Sequence, residues 1–153
     1  KLVLTVLDEK TKLPIACRMH LVGPRTRPRK VQGVPYWSDH FVFKGSITLK
    51  LPVGDYTFEI ERGPEYLNRE GNFRIEQFAD DVKEVTLKRF ADMSAEGWWC
   101  GDLFIRRPAG DAELLMMADD LHVGQFVTWW NDKSDWVRRS PPKKPLTNFE
   151  GNR

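Results

Sequence analysis

The sequence contains only two cysteines and three histidines among its 153 residues. Two cysteines are too few for a disulfide-stapled framework, and the spacing of Cys17 and Cys100 matches no zinc motif. A single bridge between them stays open, but two free thiols are favoured, because each cysteine lies in an apolar stretch. The histidines, His20, His40 and His122, are far apart and lack ligand spacing, so we expect no metal site and no cofactor.

Other features are equally scarce. No apolar run approaches the ~18 residues that a membrane span needs. A net charge of +2 gives no case for nucleic acid, and the cations of Arg25–Lys30 are typical of a solvated loop. The chain has no glycine-rich phosphate loop and no nucleophile elbow. Hydrophobic residues at 41% and charged residues at 30% are ordinary for a globular domain.

Residues 1–90 alternate between apolar and polar positions, as half-buried strands do. One clear case is the run around Ile47 and Leu49, which is followed by the turn residues 52–55 and a partner strand from Tyr56. Another is residues 15–22, which place His20 on the wetter face. About seven short strands at regular spacing predict an antiparallel sandwich, so the fold class is mainly β.

The pattern changes after Phe90. Residues 98–105 predict a buried strand, acids and apolar positions predict a helix starting near Asp111, and residues 123–130 predict a second strand. Strand, helix and strand form a βαβ unit, which belongs to a parallel sheet. We therefore divide the chain into a sandwich (1–90), a βαβ segment (91–131) and an irregular basic tail (132–153).

One βαβ unit is not a complete domain, and both of its strands are apolar enough to be covered on two faces. Three alternatives stay open. The missing strands lie on another chain or further along this one, the segment folds back on the sandwich, or it supplies strand edges to neighbouring subunits.

Two segments of the first 90 residues carry a resemblance. Val-Leu-Asp-Glu-Lys-Thr-Lys-Leu-Pro-Ile-Ala at 6–16 and Leu-Pro-Val-Gly-Asp-Tyr-Thr-Phe-Glu-Ile at 51–60 resemble the carboxypeptidase regulatory-like, or prealbumin-like, β-sandwich. The resemblance implies a strand–turn–strand and a hairpin at these segments. Members are usually non-catalytic appendages of secreted or envelope enzymes, or binding and assembly modules.

A second resemblance covers residues 96–131. Glu-Gly-Trp-Trp-Cys-Gly-Asp-Leu-Phe-Ile-Arg-Arg-Pro from residue 96, with the helix segment that follows, is similar to the opening of a PHP-type metallohydrolase of the CehA/McbA-like branch. In that pattern the first strand ends Gly-Asp-Leu-His-x-His, and both histidines bind the catalytic metal. Here Phe104 and Arg106 occupy those positions, and Thr128-Trp-Trp-Asn131 stands where many members read Thr-Asp-His-Asn.

These replacements decide the chemistry of that segment. Phenylalanine has no lone pair, and a guanidinium is a permanent cation that repels a divalent metal. With Phe104, Arg106 and Trp130 in place of imidazoles, we expect no catalytic metal site of this type. Asp102 is left with a capping or supporting role, and the acid pair Asp119-Asp120 is expected to be solvated.

The aromatic residues give two further hypotheses. Paired tryptophans are expected to fill the seam between the sandwich and the βαβ segment, and the packing or assembly residues are Trp98, Trp99, Trp129, Trp130 and Arg106. The competing idea is a platform for a sugar or peptide on sandwich loops. Its residues would be Tyr36, Trp37, His40, Arg62, Glu65 and Tyr66.

The sequence therefore predicts a non-catalytic structural or interaction module that self-associates or binds a partner chain through unpaired strands and the tail. One alternative is an N-terminal accessory fragment of a PHP-type metal-dependent hydrolase. A second is a carbohydrate- or peptide-binding sandwich. We expect an extracellular or periplasmic location, no nucleic acid and no membrane span.

Overall fold

The prediction of a mainly β protein is confirmed. The structure is a computed structural model that describes residues 1–130, 133–134, 136–138, 140–141, 143–144 and 146–149. Its first eight strands are β1 (Leu2–Asp8), β2 (Ala16–Val22), β3 (Tyr36–Trp37), β4 (His40–Lys44), β5 (Ser46–Leu49), β6 (Gly54–Glu61), β7 (Arg69–Ile75) and β8 (Asp81–Leu87). They form a three-stranded sheet in the order β5-β1-β8 and a five-stranded sheet in the order β3-β4-β2-β6-β7. The strand added to the predicted seven is the two-residue β3.

One pair of strands departs from the antiparallel prediction. β1 and β8 run parallel, from Leu2 opposite Asp81 to Asp8 opposite Leu87, whereas every other pair within these two sheets is antiparallel. The connection after β7 passes from one sheet to the other, so β8 can enter beside β1 in the same direction. The parallel register places Asp8 and Leu87 at the same end of the sandwich, beside the C-terminal segment.

The core lies between the two sheets. Strand alternation gives each sheet one inward face, and β2 shows it clearly because Cys17, Met19 and Leu21 are fully buried. Its outward residues Arg18 and His20 are only half-buried, as the alternation predicts. Apolar residues from both sheets complete the cluster, among them Leu4, Val6, Phe41, Phe43, Leu49, Tyr56, Ile60 and Leu87.

The predicted βαβ unit is present. It comprises β9 (Gly101–Ile105), α1 (Ala112–Ala118) and β10 (Val123–Phe126), and β9 and β10 pair in parallel. Short 3₁₀ turns precede β9 at Met93–Glu96 and α1 at Ala109–Asp111. The second strand is shorter than predicted, because the chain leaves it at Phe126 and forms a small hairpin of β11 (Trp129–Trp130) and β12 (Lys133–Ser134).

The helix folds back on the sandwich. Leu115, Met117 and Ala118 of α1 form a second apolar cluster with Ala16 and Val42, which point out from the five-stranded sheet. This contact gives α1 a buried face even though it has only seven residues. The position of the helix therefore supports the alternative in which the βαβ segment folds back on the sandwich.

Strand β9 is much more exposed to solvent than the helix. The prediction that residues 98–105 form a buried strand is wrong for β9, since four of its five residues are exposed and only Ile105 is buried. The helix contacts β10, whereas Asp102 and Phe104 of β9 border an open cleft on the side of the sandwich.

The predicted basic tail, residues 132–153, falls largely outside the described residues, as does the side chain of Trp130. No helix in the described part of the chain is both long and apolar enough to cross a membrane.

Candidate functional site

The end of β9 holds the two positions that the metallohydrolase resemblance assigns to metal ligands. The Phe104 side chain is exposed, and the Arg106 guanidinium lies over its ring, 4.4 Å from the centroid. The Asp102 carboxylate accepts a hydrogen bond of 2.8 Å from the Phe104 backbone N–H. The Asp102 carboxylate therefore binds the backbone of its own strand. An arginine stacked on a phenylalanine offers no lone pair to a cation.

The tryptophans around this unit do not fill a seam. Trp98, Trp99 and Trp129 are all more than half exposed, so the expectation that they pack the sandwich against the βαβ unit is wrong for these three. The seam is filled instead by the smaller side chains of α1. Exposed tryptophans leave a contact with a partner chain open, and that contact stays a prediction.

The six residues proposed as a loop platform lie in two separate settings. Tyr36, Trp37 and His40 belong to the β3–β4 hairpin, where Trp37 is exposed. Arg62 and Tyr66 are each only 7% exposed, because they lie in the interface between the sandwich and the C-terminal unit. A single open groove of all six residues is therefore wrong.

Arg62 and its neighbours instead form a buried polar junction. The Arg62 guanidinium donates to the carbonyl oxygens of Ala16 and Met117 and, at 3.1 Å, to the Asp120 carboxylate. Arg89 donates to the other Asp120 oxygen and to Glu65. Asp120 is 2% exposed, so the expectation that it is solvated is wrong.

Tyr66 and Asp8 also belong to the junction. The Tyr66 ring lies between Arg62 and Arg89, and its hydroxyl donates to Asp8 at 3.1 Å. Burial alone would lower the pKa of Arg89, but Tyr66 and Asp120 outweigh it and raise that pKa. Arg62, Arg89 and Asp120 thus each have a partner of opposite charge inside the junction.

A second polar cluster lies on the outer face of the five-stranded sheet. His20 of β2 pairs directly with His40 of β4 across the sheet, and their ring centroids are 5.1 Å apart. Asp39 reaches both rings, with its carboxylate oxygens 2.9 Å from His40 Nδ1 and 3.4 Å from His20 Nδ1. Within the described residues, these three side chains form the group whose ligand atoms all lie within 4.8 Å of one another, as a metal site requires.

The histidines are far apart in sequence and lack ligand spacing, but the fold brings two of them together. His20 and His40 are distant along the chain, but the antiparallel register brings them side by side. The available signal was the outward position of His20, combined with a hairpin that places Asp39 next to His40. His122 lies elsewhere, against Trp99 and 3.5 Å from the Cys100 sulfur.

Neighbouring groups keep the Asp39 carboxylate of the cluster ionised. The hydrogen bond from His40 lowers the pKa of Asp39, and the nearby His20 and His40 charges add to this effect, so the carboxylate remains ionised. Glu61 lies 2.7 Å from His20 Nε2 and 3.1 Å from Arg18 Nε. The cluster therefore pairs each imidazole with a carboxylate oxygen.

A cleft of about 270 Å³ adjoins the cluster, between the sandwich and the C-terminal unit. His40, Trp37 and Arg107 line it, with the Arg107 guanidinium 4.7 Å from the centre of the Trp37 ring. Burial raises the pKa of Asp119 and lowers that of Arg107, which also lies in the cleft. The two charges are thus partly desolvated where the two parts of the chain meet.

The cysteines are free thiols, as favoured from the sequence. Burial raises the pKa of both Cys17 and Cys100, so neither is an activated nucleophile. The Cys100 thiol donates to the Asp120 carbonyl oxygen at 3.0 Å.

The comparisons with known proteins add no relative to these observations. No protein-family model matches the chain, and a search of the curated proteins finds no significant match.

Proposed function

We propose that this chain is a non-catalytic interaction module that self-associates through β9. The observation that carries the proposal is the incomplete pairing and the exposure of this strand. β9 pairs with β10 alone among the described residues, and four of its five residues are exposed.

An isolated parallel pair of this kind is incomplete. Parallel strands are normally covered on both faces, and an open edge presents unpaired N–H and C=O groups to other chains. Leu103, Phe104 and Val123 are each more than half exposed on this pair. Burying each such side chain is worth roughly 1.5–3 kcal/mol. A partner chain that covers the faces and the edge of this pair would therefore form a stable complex with it.

A second copy of the chain fits this edge. A two-fold axis brings identical strands together in the antiparallel direction, and the same patch then serves both copies. In the register centred on Phe104, the two Phe104 residues meet and Asp102 of one copy lies opposite Arg106 of the other. Opposite charges therefore face each other at both ends of the pair.

The same residues favour a non-catalytic role. Phe104 and Arg106 stack on each other at the positions that the metallohydrolase resemblance gives to ligands, and neither can bind a metal. Arg62 and Asp120 are buried in the junction between the two parts of the chain, away from solvent. The predicted contribution of the basic tail lies outside the described residues.

The test is the mass of the chain in solution for the wild type and for Phe104→Glu. We expect a concentration-dependent dimer by sedimentation equilibrium, and we expect Phe104→Glu to raise its dissociation constant by at least about tenfold. Phe78→Glu is the matched control, because Phe78 is 92% exposed but lies in a loop after β7. A strictly monomeric wild type, or equal effects of the two variants, contradicts the proposal.

A second candidate function has one observation in its favour. The parallel pairing of β9 and β10 through α1 is the arrangement that opens a larger β/α domain, as the PHP-type resemblance implies. In that case the chain is an accessory part of a metal-dependent hydrolase. Metal analysis of the full-length product tests this: stoichiometric zinc or manganese together with esterase or phosphatase turnover supports this second function and contradicts the first. The glycan-binding alternative is not carried forward, since its platform is divided.

A further inference from the structure

We propose that His20, Asp39 and His40 bind a divalent first-row transition-metal ion on the outer face of the five-stranded sheet. The three ligands belong to the sandwich and none lies in β9, so the test of this site is separate from that of the self-association proposed for β9.

The spacing of the ligand atoms suits such an ion. Two ligands that bind zinc at ~2.1 Å in a tetrahedral arrangement are about 3.4 Å apart. The Asp39 oxygens lie 2.9 Å from His40 Nδ1 and 3.4 Å from His20 Nδ1, and all three ligand atoms lie within 4.8 Å of one another. The ligand atoms therefore already lie near the separations that one ion requires.

Glu61 supplies the supporting contact that metal-binding histidines usually have. An ionised carboxylate can only accept hydrogen bonds, so His20 Nε2, 2.7 Å away, carries the proton in the neutral ring. The lone pair of that ring is then on Nδ1, which faces Asp39. His40 Nδ1 instead donates its proton to Asp39, and an ion that binds there displaces this proton to solvent. A carboxylate behind the imidazole fixes the ring orientation and raises its basicity toward a metal.

The backbone conformation also positions Asp39, the third ligand. Asp39 lies in the tight turn of the β3–β4 hairpin, whose Ser38 has a φ of 54°, in the left-handed region that a serine rarely adopts. The Tyr36 hydroxyl donates to the Ser38 carbonyl at 2.6 Å, and the Asp39 N–H donates to Trp37 at 2.7 Å. These bonds hold the turn in the conformation that directs Asp39 toward the two rings.

The chemical types of the three ligands determine which metal ions suit the site. Two imidazoles and one carboxylate suit Zn²⁺, Co²⁺, Ni²⁺ or Cu²⁺, whereas Ca²⁺ and Mg²⁺ prefer sites made of oxygen atoms. Three protein ligands leave one tetrahedral position for water. The Asp39 side chain is half exposed, so that position has access to solvent. A bound ion would link the β3–β4 hairpin to β2 beside the cleft that Trp37 and Arg107 line.

The test uses the full chain after treatment with a chelator, titrated with Zn²⁺ alone in a calorimeter. We expect one ion per chain for the wild type and at least a hundredfold weaker binding in both His20→Gln and His40→Gln. Glu61→Gln should weaken binding by about 10- to 100-fold, as loss of a supporting carboxylate does. His122→Gln is the matched control, because His122 is the third histidine of the chain and lies outside the cluster.

A measurement on the wild type makes the test independent of how the variants fold. In imidazole NMR spectra, Zn²⁺ should shift the ring signals of two of the three histidines and leave those of His122 in place. Co²⁺ should give an absorption spectrum without a thiolate charge-transfer band, because no cysteine is a ligand. The proposal is overturned if the wild type binds no Zn²⁺ at millimolar concentration. It is also overturned if His122→Gln abolishes binding while His20→Gln retains it, since the ion then lies at Cys100 and His122.

Discussion

Arg62 and Asp120 form a buried ion pair, with 3.1 Å between Nη2 and Oδ1, that joins the β-sandwich to the C-terminal unit. The pair does not stand alone, because Arg89 binds the second Asp120 oxygen and Arg62 also binds two backbone carbonyls. A buried carboxylate shared by two arginines is strongly coupled to its surroundings, so the loss of one partner is costly.

The first prediction concerns this carboxylate. Asp120→Asn keeps the size of the side chain but leaves Arg62 and Arg89 without their common anion. We expect the free energy of unfolding to fall by about 3 kcal/mol, because breaking a buried pair leaves an uncompensated charge. Denaturant unfolding monitored by circular dichroism measures the change. A loss below about 0.5 kcal/mol would mean that the junction contributes little to the fold.

The second prediction concerns the adjacent residue and has the opposite sign. Burial raises the pKa of Asp119, even though Arg18 lies 3.7 Å from its carboxylate. Asp119 also ends α1, where a negative charge opposes the helix dipole. We expect Asp119→Asn to stabilise the protein by about 0.3–1 kcal/mol at neutral pH.

The pH dependence of that gain follows from the direction of the shift. A carboxyl group whose pKa is higher in the folded state holds its proton more tightly there, so folding is favoured at low pH and loses stability as pH rises through the folded pKa. The advantage of Asp119→Asn should therefore vanish near the ordinary pKa of 3.8 and grow toward neutral pH. Unfolding curves of both proteins from about pH 4 to about pH 7 measure it. A gain that is constant with pH would assign the effect to something other than ionisation.

The strands of the sandwich could be predicted from residue alternation, since each strand must bury one face and the required pattern is local. The parallel pairing of β1 and β8 could not, because it depends on which edge a strand reaches after a long connection. The βαβ unit was predictable for the same local reasons. Its exposure was not, because apolar residues on β9 show only that a cover is favourable, not that this chain supplies one.

In the candidate site, too, local features could be predicted from the sequence and long-range contacts could not. The outward-facing position of His20 was predicted correctly from residue alternation. The histidine cluster was missed because it depends on the register of β2 against β4, which sets which residues are opposite each other. Arg62 was misplaced on an open surface because sequence alternation does not reveal that α1 covers that end of the sheet.

The third prediction concerns Gly63, which has a φ of +56° where the sandwich meets the C-terminal unit. A Cβ at this position would lie 2.4 Å from the Asp119 carbonyl oxygen, so the backbone of one part must move. Gly33 is the matched control, because its φ is +81° but a Cβ there meets nothing within 4 Å. Both alanine variants carry the cost of a left-handed backbone, roughly 1–2 kcal/mol.

Gly63→Ala should lose about 1–3 kcal/mol more than Gly33→Ala in free energy of unfolding, because only Gly63 has the steric clash as well. Denaturant unfolding of the two variants gives the difference directly. Equal losses would show that the two parts of the chain are not held in close contact at Gly63.

The last prediction concerns the two thiols. Burial raises the pKa of Cys17 and Cys100, so both are protonated at neutral pH and react slowly with an alkylating reagent. Cys17 is fully buried in the sandwich core, whereas Cys100 is half-buried beside His122. We expect iodoacetamide to modify Cys100 slowly in the folded protein, at a rate that increases with pH, and to modify Cys17 only when denaturant unfolds the sandwich. Peptide mass spectrometry over a time course distinguishes the two sites, and Cys100→Ser removes the early product. Rapid modification of Cys100 at neutral pH would reveal an activated thiolate, and modification of Cys17 at the same rate as Cys100 would show that the sandwich core opens readily.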